Sequence, residues 1–162
     1  MSVKVIQADY HNPQHARHVI ELLDCYATDP MGGGMALSDY TAQNLIPTLA
    51  DRSDAFSILA YVDGQPAGLT NCFEGFSTFA CQPLINIHDV VVAGEYRGMG
   101  LSRQMFDLVE DMATQRQCCK LTLEVVTGNT TAQAAYERFG FKPYQLDDQH
   151  GQAMFWEKPL SS

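Results

Sequence analysis

Two spacings of apolar residues alternate along the chain, and they predict strands and helices in a mixed order. Period-two alternation and short apolar runs predict strands over residues 3–7, 55–62, 67–76, 84–92 and 120–126, with two short strands near 142–146 and 153–158. Spacings of three and four predict helices from Pro13 to before residue 29, after Ser38 through residue 49, over 101–115, and over 130–139. The order β-α-α-β-β-β-α-β-α-β-β predicts an α/β (α+β) protein, a mixed sheet with helices on both sides.

Capping and turn residues mark the ends of these elements. Asn12 followed by Pro13, and Ser38 and Asn129 further on, are typical helix N-caps, while Gly140 is typical of a helix C-terminus. Pro47 is expected to kink the second helix or end it early. Asp63-Gly64 predicts a two-residue hairpin loop.

Length and charge narrow the class of protein. At 162 residues we expect one domain covering 1–162, large enough for a real core. A net charge of −9 argues against nucleic-acid binding, and no apolar stretch predicts a signal peptide or a membrane span. Five cysteines without a CxxC pair indicate reduced thiols, so we expect a cytoplasmic protein.

The stretch EYRGMGLSRQM (95–105) places two glycines between an apolar strand and a helix. Such a turn leaves unpaired N–H groups at the positive end of the helix dipole, which suits a phosphate. The GxxxxGK[ST] pattern is absent, and GxGxxG fails because Arg103 stands where its third glycine belongs. A plain strand–helix turn remains the alternative on these residues alone.

Two segments together give a family resemblance. VVVAGEYRGMGLS resembles the pyrophosphate-binding segment of the GNAT family of N-acetyltransferases, [Q/R]-x-x-G-x-[G/A], with Arg97 and Gly100 in place and Ser102 where glycine or alanine is usual. NTTAQAAYERFGF resembles the second segment, N-x-x-A-x-x-x-Y-x-x-x-G-F, matched at every fixed position from Asn129 to Phe141. The resemblance covers nearly the whole chain, and it implies a mostly antiparallel sheet of six to seven strands, about four helices, and fourth and fifth strands that splay apart.

The resemblance also implies a cosubstrate, acetyl-CoA, and residues that bind it. Its pantetheine arm would hydrogen-bond to the fourth strand, and its pyrophosphate would rest on the amides of the glycine turn. The residues implied are Val90, Val91, Val92, Arg97, Gly98, Met99, Gly100, Leu101, Ser102, Asn129 and Ala132.

The acceptor implied is an amine, and three catalytic residues are candidates. By position, the resemblance assigns protonation of the leaving thiolate to Tyr136, although packing on the apolar helix face is the alternative. His88 and Asp89 are candidates for the base or for orienting the ammonium, and a structural hydrogen-bonded pair is the alternative for both. Strict alternation places them on opposite faces, unless a bulge changes which one reaches the acceptor. Glu124 is a weaker candidate.

The function predicted is transfer of acetyl from acetyl-CoA to the primary amine of a small molecule, such as a polyamine or an amino acid. Acetylation of protein N-termini or lysines, and a non-catalytic acyl-CoA sensor, are the alternatives. Asp24, Asp29 and Asp39 would favour a cationic acceptor, although solvated surface explains each one as well. His11, His15 and His18 share helical spacing, but no metal site is expected because no carboxylate or cysteine completes the set. Dimerisation is common in the family, which makes a homodimer one expectation.

Overall fold

A five-stranded sheet organises residues 1–123. Its strands are β1 Val3–Gln7, β2 Ala55–Val62, β3 Gln65–Ser77, β4 Gln82–Val92 and β5 Leu121–Leu123. They lie side by side in that order, and neighbours are antiparallel except for β4 and β5, which are parallel. The mixed, mostly antiparallel sheet is confirmed, with five strands in it rather than six or seven.

Three helices belong to this part of the chain: α1 Pro13–Thr28, α2 Asp39–Ala50 and α3 Leu101–Gln115. The predicted caps are confirmed, because the Asn12 side chain accepts hydrogen bonds from the first turn of α1, and Ser38 accepts one from the Thr41 amide. Pro47 does not end α2 early, because the helix continues through Pro47 to Ala50. Ile46 and Leu49, on either side of Pro47, are buried, and their packing holds this last turn of the helix. Within residues 1–160, no helix is long and apolar enough to span a bilayer.

The computed structural model describes residues 1–160, which form two compact units divided in the sequence after Leu123. The second unit contains α4 Thr130–Phe139 and a hairpin of β6 Gln145–Asp147 and β7 Gly151–Gln152. We predicted strands near 142–146 and 153–158 that close the main sheet, whereas β6 and β7 form a separate two-stranded ladder. The polar turn explains the shift, since Asp147 accepts from the His150 amide at 2.7 Å and draws the pairing to the turn.

Each face of the main sheet has its own apolar core. On one face, Leu59, Leu69 and Val91 pack with Val19 and Leu22 of α1. On the other face, α3 packs through Leu101 and Met105, and the Met105 side chain lies so close to Gly68 that a Cβ there would be 3.0 Å from it. Alternate residues of β3 and β4 therefore face α1 and α3.

His18 is a buried polar residue on the α1 side. Its Nδ1 lies 2.8 Å from the hydroxyl of Tyr61, and the two rings meet edge to face. Burial lowers the pKa of His18. Glu21 opposes this shift, while Arg17 and His15 lower the pKa further. The folded protein therefore holds this imidazole neutral more readily than the unfolded chain does.

We expect Asn12→Ala to lower the free energy of unfolding by about 1 kcal/mol, because the first-turn amides of α1 lose their acceptor. Asn12→Asp keeps an acceptor and is the matched control. Urea unfolding measures both, and an equal loss in the two variants would contradict the capping role.

We expect the free energy of unfolding to fall as the pH drops from about 6.5 to 5, because the unfolded chain then binds a proton that folded His18 resists. The slope contributed by one such group is at most about 1.4 kcal/mol per pH unit. Urea titrations at several pH values should show a smaller slope in His18→Gln and an unchanged slope in His11→Gln. An unchanged slope in His18→Gln would exclude this assignment.

Candidate active site

In the ladder between β3 and β4, residues 82–92 of β4 lie opposite residues 68–77 of β3, so β4 contains one residue more within the paired segment. Cys72 of β3 faces Ile87, and the next residue of β3, Asn71, faces Asp89, so that His88 is left over as a β-bulge. The parallel ladder between β4 and β5 ends at the same place, with Ile87 opposite Leu123. The predicted strand over 120–126 is correspondingly short, and Glu124 lies just beyond it as an exposed residue.

The bulge places Asp89 on the face of the sheet that α1 covers. Directly paired residues share a face, and consecutive residues of β3 face opposite sides, so Ile87 and Asp89 are on opposite faces. The His88 ring meets Phe73 edge to face at 5.6 Å, on the same side as Asp89. The prediction that His88 and Asp89 point to opposite faces is wrong, and the bulge is the reason.

A row of polar side chains crosses three strands beneath Asp89. The Asn71 amide nitrogen donates to Oδ2 of Asp89 at 3.0 Å, and the Ser57 hydroxyl donates to the amide oxygen of Asn71 at 2.6 Å. The Tyr10 hydroxyl lies 2.7 Å from the oxygen of Ser57. Sequence reasoning missed these residues, although Ser57 and Asn71 are polar positions inside otherwise apolar strands and could have signalled them.

Two tyrosines and one thiol near this row are held in their neutral forms. Burial raises the pKa of Tyr10 and, with Asp89 and Asp29 adding to the effect, the pKa of Tyr26 on α1. Burial also raises the pKa of the Cys72 thiol, again with a contribution from Asp89. An ammonium group that approached this face would thus meet a carboxylate among neutral groups.

Beyond the bulge, β4 has a strand on one side only. Val90, Val91 and Val92 pair with Thr70, Leu69 and Gly68 of β3. In the part of the chain that the structure describes, no strand pairs with these three valines on the other side. Backbone N–H and C=O groups on that edge can therefore accept an extended ligand as an added strand.

A glycine turn leads from this edge to α3. Gly98 and Gly100 have φ of 81° and 76°, the left-handed region that favours glycine, and Gly100 caps α3 without a side-chain hydrogen bond. A Cβ at either position would meet no atom within 4 Å. Leu101 is 2% exposed and packs in the same cluster as Met99, which anchors the turn, while the amides of Leu101 and Ser102 have no acceptor within the helix.

Arg97 at the start of this turn pairs with a second loop. Its guanidinium lies 3.4 Å from Oδ2 of Asp29, and both side chains are at least one-third exposed. The other oxygen of Asp29 accepts from the Met31 amide, and Asp24 accepts from the Leu37 amide at 2.8 Å. Two of the three acidic residues expected near an acceptor therefore hold the loop after α1, whereas Asp39 lies in the first turn of α2.

In the second unit, Ala132 and Tyr136 lie on α4 and Asn129 is the N-cap of this helix. The Asn129 side chain accepts from the Ala132 amide at 3.2 Å, which confirms it as the helix cap. Tyr136 lies in the second half of the helix, and its ring meets Phe141 edge to face at 6.3 Å. Phe139 stacks on Phe141, so Tyr136 and Phe139 both contact the ring of Phe141.

Two of the three histidines with helical spacing, His15 and His18, form hydrogen bonds within the protein. His15 accepts a hydrogen bond from the Asp9 amide through Nδ1 at 3.0 Å, and His18 bonds Tyr61 as described above. Within residues 1–160, no group of three or more histidine, cysteine, aspartate or glutamate side chains is arranged to hold a metal ion.

The chain is similar to known acetyltransferases in both sequence and fold. A family model described as "Acetyltransferase (GNAT) family" matches residues 16–141. Streptothricin acetyltransferase of Streptomyces lavendulae is 36% identical over 52% of this chain and 43% of its own length, so the chain spans less than half of that relative. Thialysine N-epsilon-acetyltransferase of Caenorhabditis elegans is 23% identical over 77% of this chain and 76% of its own. The crystal structure of a probable acetyltransferase superposes with a TM-score of 0.81 at 19% identity, over 98% of this chain and 99% of that one.

Proposed function

Since the chain belongs to the acetyltransferase (GNAT) family, we propose that it transfers the acetyl group of acetyl-CoA to the primary amine of a small molecule. The observation that carries the proposal is the end of the β4–β5 ladder at Ile87, while β4 itself continues to Val92 and leads through the glycine turn into α3. This arrangement offers main-chain donors and acceptors to both parts of a coenzyme, an amide-containing arm and a diphosphate.

In this proposal the coenzyme is bound mainly by backbone groups. The pantetheine arm hydrogen-bonds to the unpaired edge at Val90, Val91 and Val92, in the manner of an added strand. The diphosphate is bound by the amides of the turn from Arg97 through Gly98, Met99, Gly100 and Leu101 to Ser102, at the positive end of α3. Asn129 and Ala132 are assigned to coenzyme binding by the family segment that they match.

The amine must lose a proton before it can attack. A lysine-like ammonium has a pKa near 10.4, so that only about one molecule in a thousand is a free amine at neutral pH. Asp89 and His88 share the α1-facing side of β4, and either can take the proton directly or through water. The half-buried carboxylate of Asp89 also provides the charge that attracts an ammonium.

The remaining steps balance one bond formed against one bond broken. The amine nitrogen forms a bond to the thioester carbonyl carbon, and an amide of β4 stabilises the oxyanion. The carbon–sulfur bond then breaks, and the coenzyme leaves as a thiolate. We assign the proton that this thiolate needs to the phenol of Tyr136, which the matching family segment places on α4.

A small cationic amine is the acceptor class that the charges favour. The first 80 residues contain nine acidic side chains against three basic ones, which raises the local concentration of cations. Streptothricin acetyltransferase and thialysine N-epsilon-acetyltransferase are both named for small amine-containing acceptors.

Thiol release from acetyl-CoA across a panel of amines tests the proposal. The panel should contain a polyamine, lysine, an aminoglycoside, and a short peptide with a free N-terminus. Release with one of the small amines is the expected result. Release with the peptide alone would replace the acceptor class by protein N-termini, and saturable coenzyme binding without any release would indicate a non-catalytic sensor.

We expect Gly100→Ala to raise the KM for acetyl-CoA about tenfold with little change in kcat, because a Cβ at φ 76° strains the turn and shifts the diphosphate-binding amides. Gly64→Ala is the matched control, since Gly64 has φ of 82° in the β2–β3 hairpin. Steady-state kinetics at saturating amine measure both variants. An equal rise in the two would show a general effect of strain rather than a role in coenzyme binding.

We expect Tyr136→Phe to lower kcat about a hundredfold while the KM for acetyl-CoA stays within a factor of two, because the variant loses the proton that the thiolate needs. The variant keeps the aromatic ring that contacts Phe141, and a thermal melt checks that it is folded. Tyr40→Phe, at an exposed tyrosine of α2, is the control. Unchanged turnover in Tyr136→Phe would remove this residue from the reaction.

A further inference from the structure

The row of buried polar side chains under the bulge has a task of its own. We propose that Tyr10, Ser57 and Asn71 are positioning residues that fix the carboxylate of Asp89 in the orientation in which it receives the acceptor amine. The inference rests on the proposed function. It concerns which residue on β4 meets the amine and what holds it there.

The hydrogen bonds in the row can run in one direction only. An ionised carboxylate accepts and cannot donate, so the NH₂ group of Asn71 must face Oδ2 of Asp89. The amide oxygen of Asn71 then accepts the single hydroxyl proton of Ser57, and the oxygen of Ser57 accepts from Tyr10. Each donor fixes the orientation of the next group, from the half-buried phenol to the carboxylate.

Burial gives these bonds their importance. Ser57 is 0% exposed and Asn71 is 4% exposed, so water cannot replace a partner that is lost. A buried polar group without a partner is costly, and the three groups therefore hold one another in place. Asp89 at the end of the row is half-buried and can meet a ligand.

The row depends on the bulge in β4. Ser57, Asn71 and Asp89 are directly paired neighbours on β2, β3 and β4, which places them in one line across the sheet. Without the extra residue, the position opposite Asn71 would belong to His88. The bulge thus exchanges an imidazole for a carboxylate at the end of the row, and this selects Asp89 over His88 as the group that is held.

An amide in the middle of the row excludes proton conduction. A primary amide does not readily pass a proton from its oxygen to its nitrogen, so the row orients Asp89 without carrying protons away from it. Asn71 engages Oδ2, and in our proposal Oδ1 meets the ammonium.

The groups that face Asp89 from neighbouring elements are Tyr26 on α1 and Tyr10 in the segment between β1 and α1, together with His88 on β4 itself. Cys72 of β3 pairs with Ile87 and therefore lies on the opposite face. The two tyrosines have raised pKa values and remain neutral near pH 7, as described above.

The test compares Asn71→Leu with Thr70→Val. Both replace a buried polar side chain of β3, but Thr70 bonds Met105 on the α3 side. We expect Asn71→Leu to lower kcat/KM for the amine at least tenfold and leave the KM for acetyl-CoA within a factor of two. Thr70→Val should change none of these quantities.

A second pair of variants covers the case in which Asn71→Leu does not fold. Tyr10→Phe removes one oxygen atom at the far end of the row, and Tyr61→Phe removes the matching atom from the His18 contact. We expect a three- to tenfold loss of kcat/KM for the amine in Tyr10→Phe alone, with the KM for acetyl-CoA unchanged in both and thermal melts confirming that both are folded.

The outcomes distinguish a failure of the proposed function from a failure of the positioning role of Tyr10, Ser57 and Asn71. A wild-type protein that binds acetyl-CoA and releases no thiol with any amine would overturn the proposed function, and this inference with it. An active wild type whose kcat/KM for the amine survives in folded Asn71→Leu, or in Tyr10→Phe where Asn71→Leu does not fold, would overturn the inference alone. Equal losses in a variant and its matched control would also overturn it, since the effect would then be structural.

Discussion

The extra residue in β4 is the constraint on which both sides of the candidate site depend. A bulge bends its strand and interrupts the ladder, and here the parallel pairing with β5 stops at Ile87, immediately before His88. The strand nevertheless continues to Val92, so its last three residues keep β3 as a partner, and no strand within residues 1–160 pairs with their opposite edge. The same extra residue reverses the alternation of side chains, which moves Asp89 to the α1 side, in line with Asn71 and Ser57. One backbone irregularity thus creates an edge for a coenzyme and a carboxylate for an amine.

The two functions that we assign to β4 use different parts of its residues. In our proposal, coenzyme binding relies on main-chain groups at Val90–Val92 and in the glycine turn. Acceptor binding, in the same proposal, relies on the side chain of Asp89, which is held by a buried row of hydrogen bonds. This division explains why a family can keep its coenzyme site while acceptors differ, since the amine meets side chains that can change without disturbing the backbone edge.

Local signals predicted much of the fold. The predicted caps act at helix ends through hydrogen bonds with near neighbours in sequence, as seen at Asn12, Ser38, Asn129 and Gly140. The glycine turn, with its two left-handed residues, was predicted from the sequence in the same way. The family inferred from the two segments is confirmed. The presence of the bulge was not predictable, because it arises from pairing between β3 and β4, and strict alternation within β4 alone placed His88 and Asp89 on opposite faces. The row from Tyr10 to Asp89 depends on the same pairing. The C-terminal ladder shifted for a related reason, since a polar turn outweighed the apolar run over 153–158.

The central claim is that the bulge frees the edge of β4 at Val90–Val92 for the coenzyme. Amide hydrogen exchange, followed residue by residue by NMR with and without saturating acetyl-CoA, measures this directly. The account predicts that exchange slows at the amides of Val90–Val92 that point away from β3, while β2, which has strands on both sides, exchanges as before. Saturated binding with unchanged exchange at Val90–Val92 would contradict it.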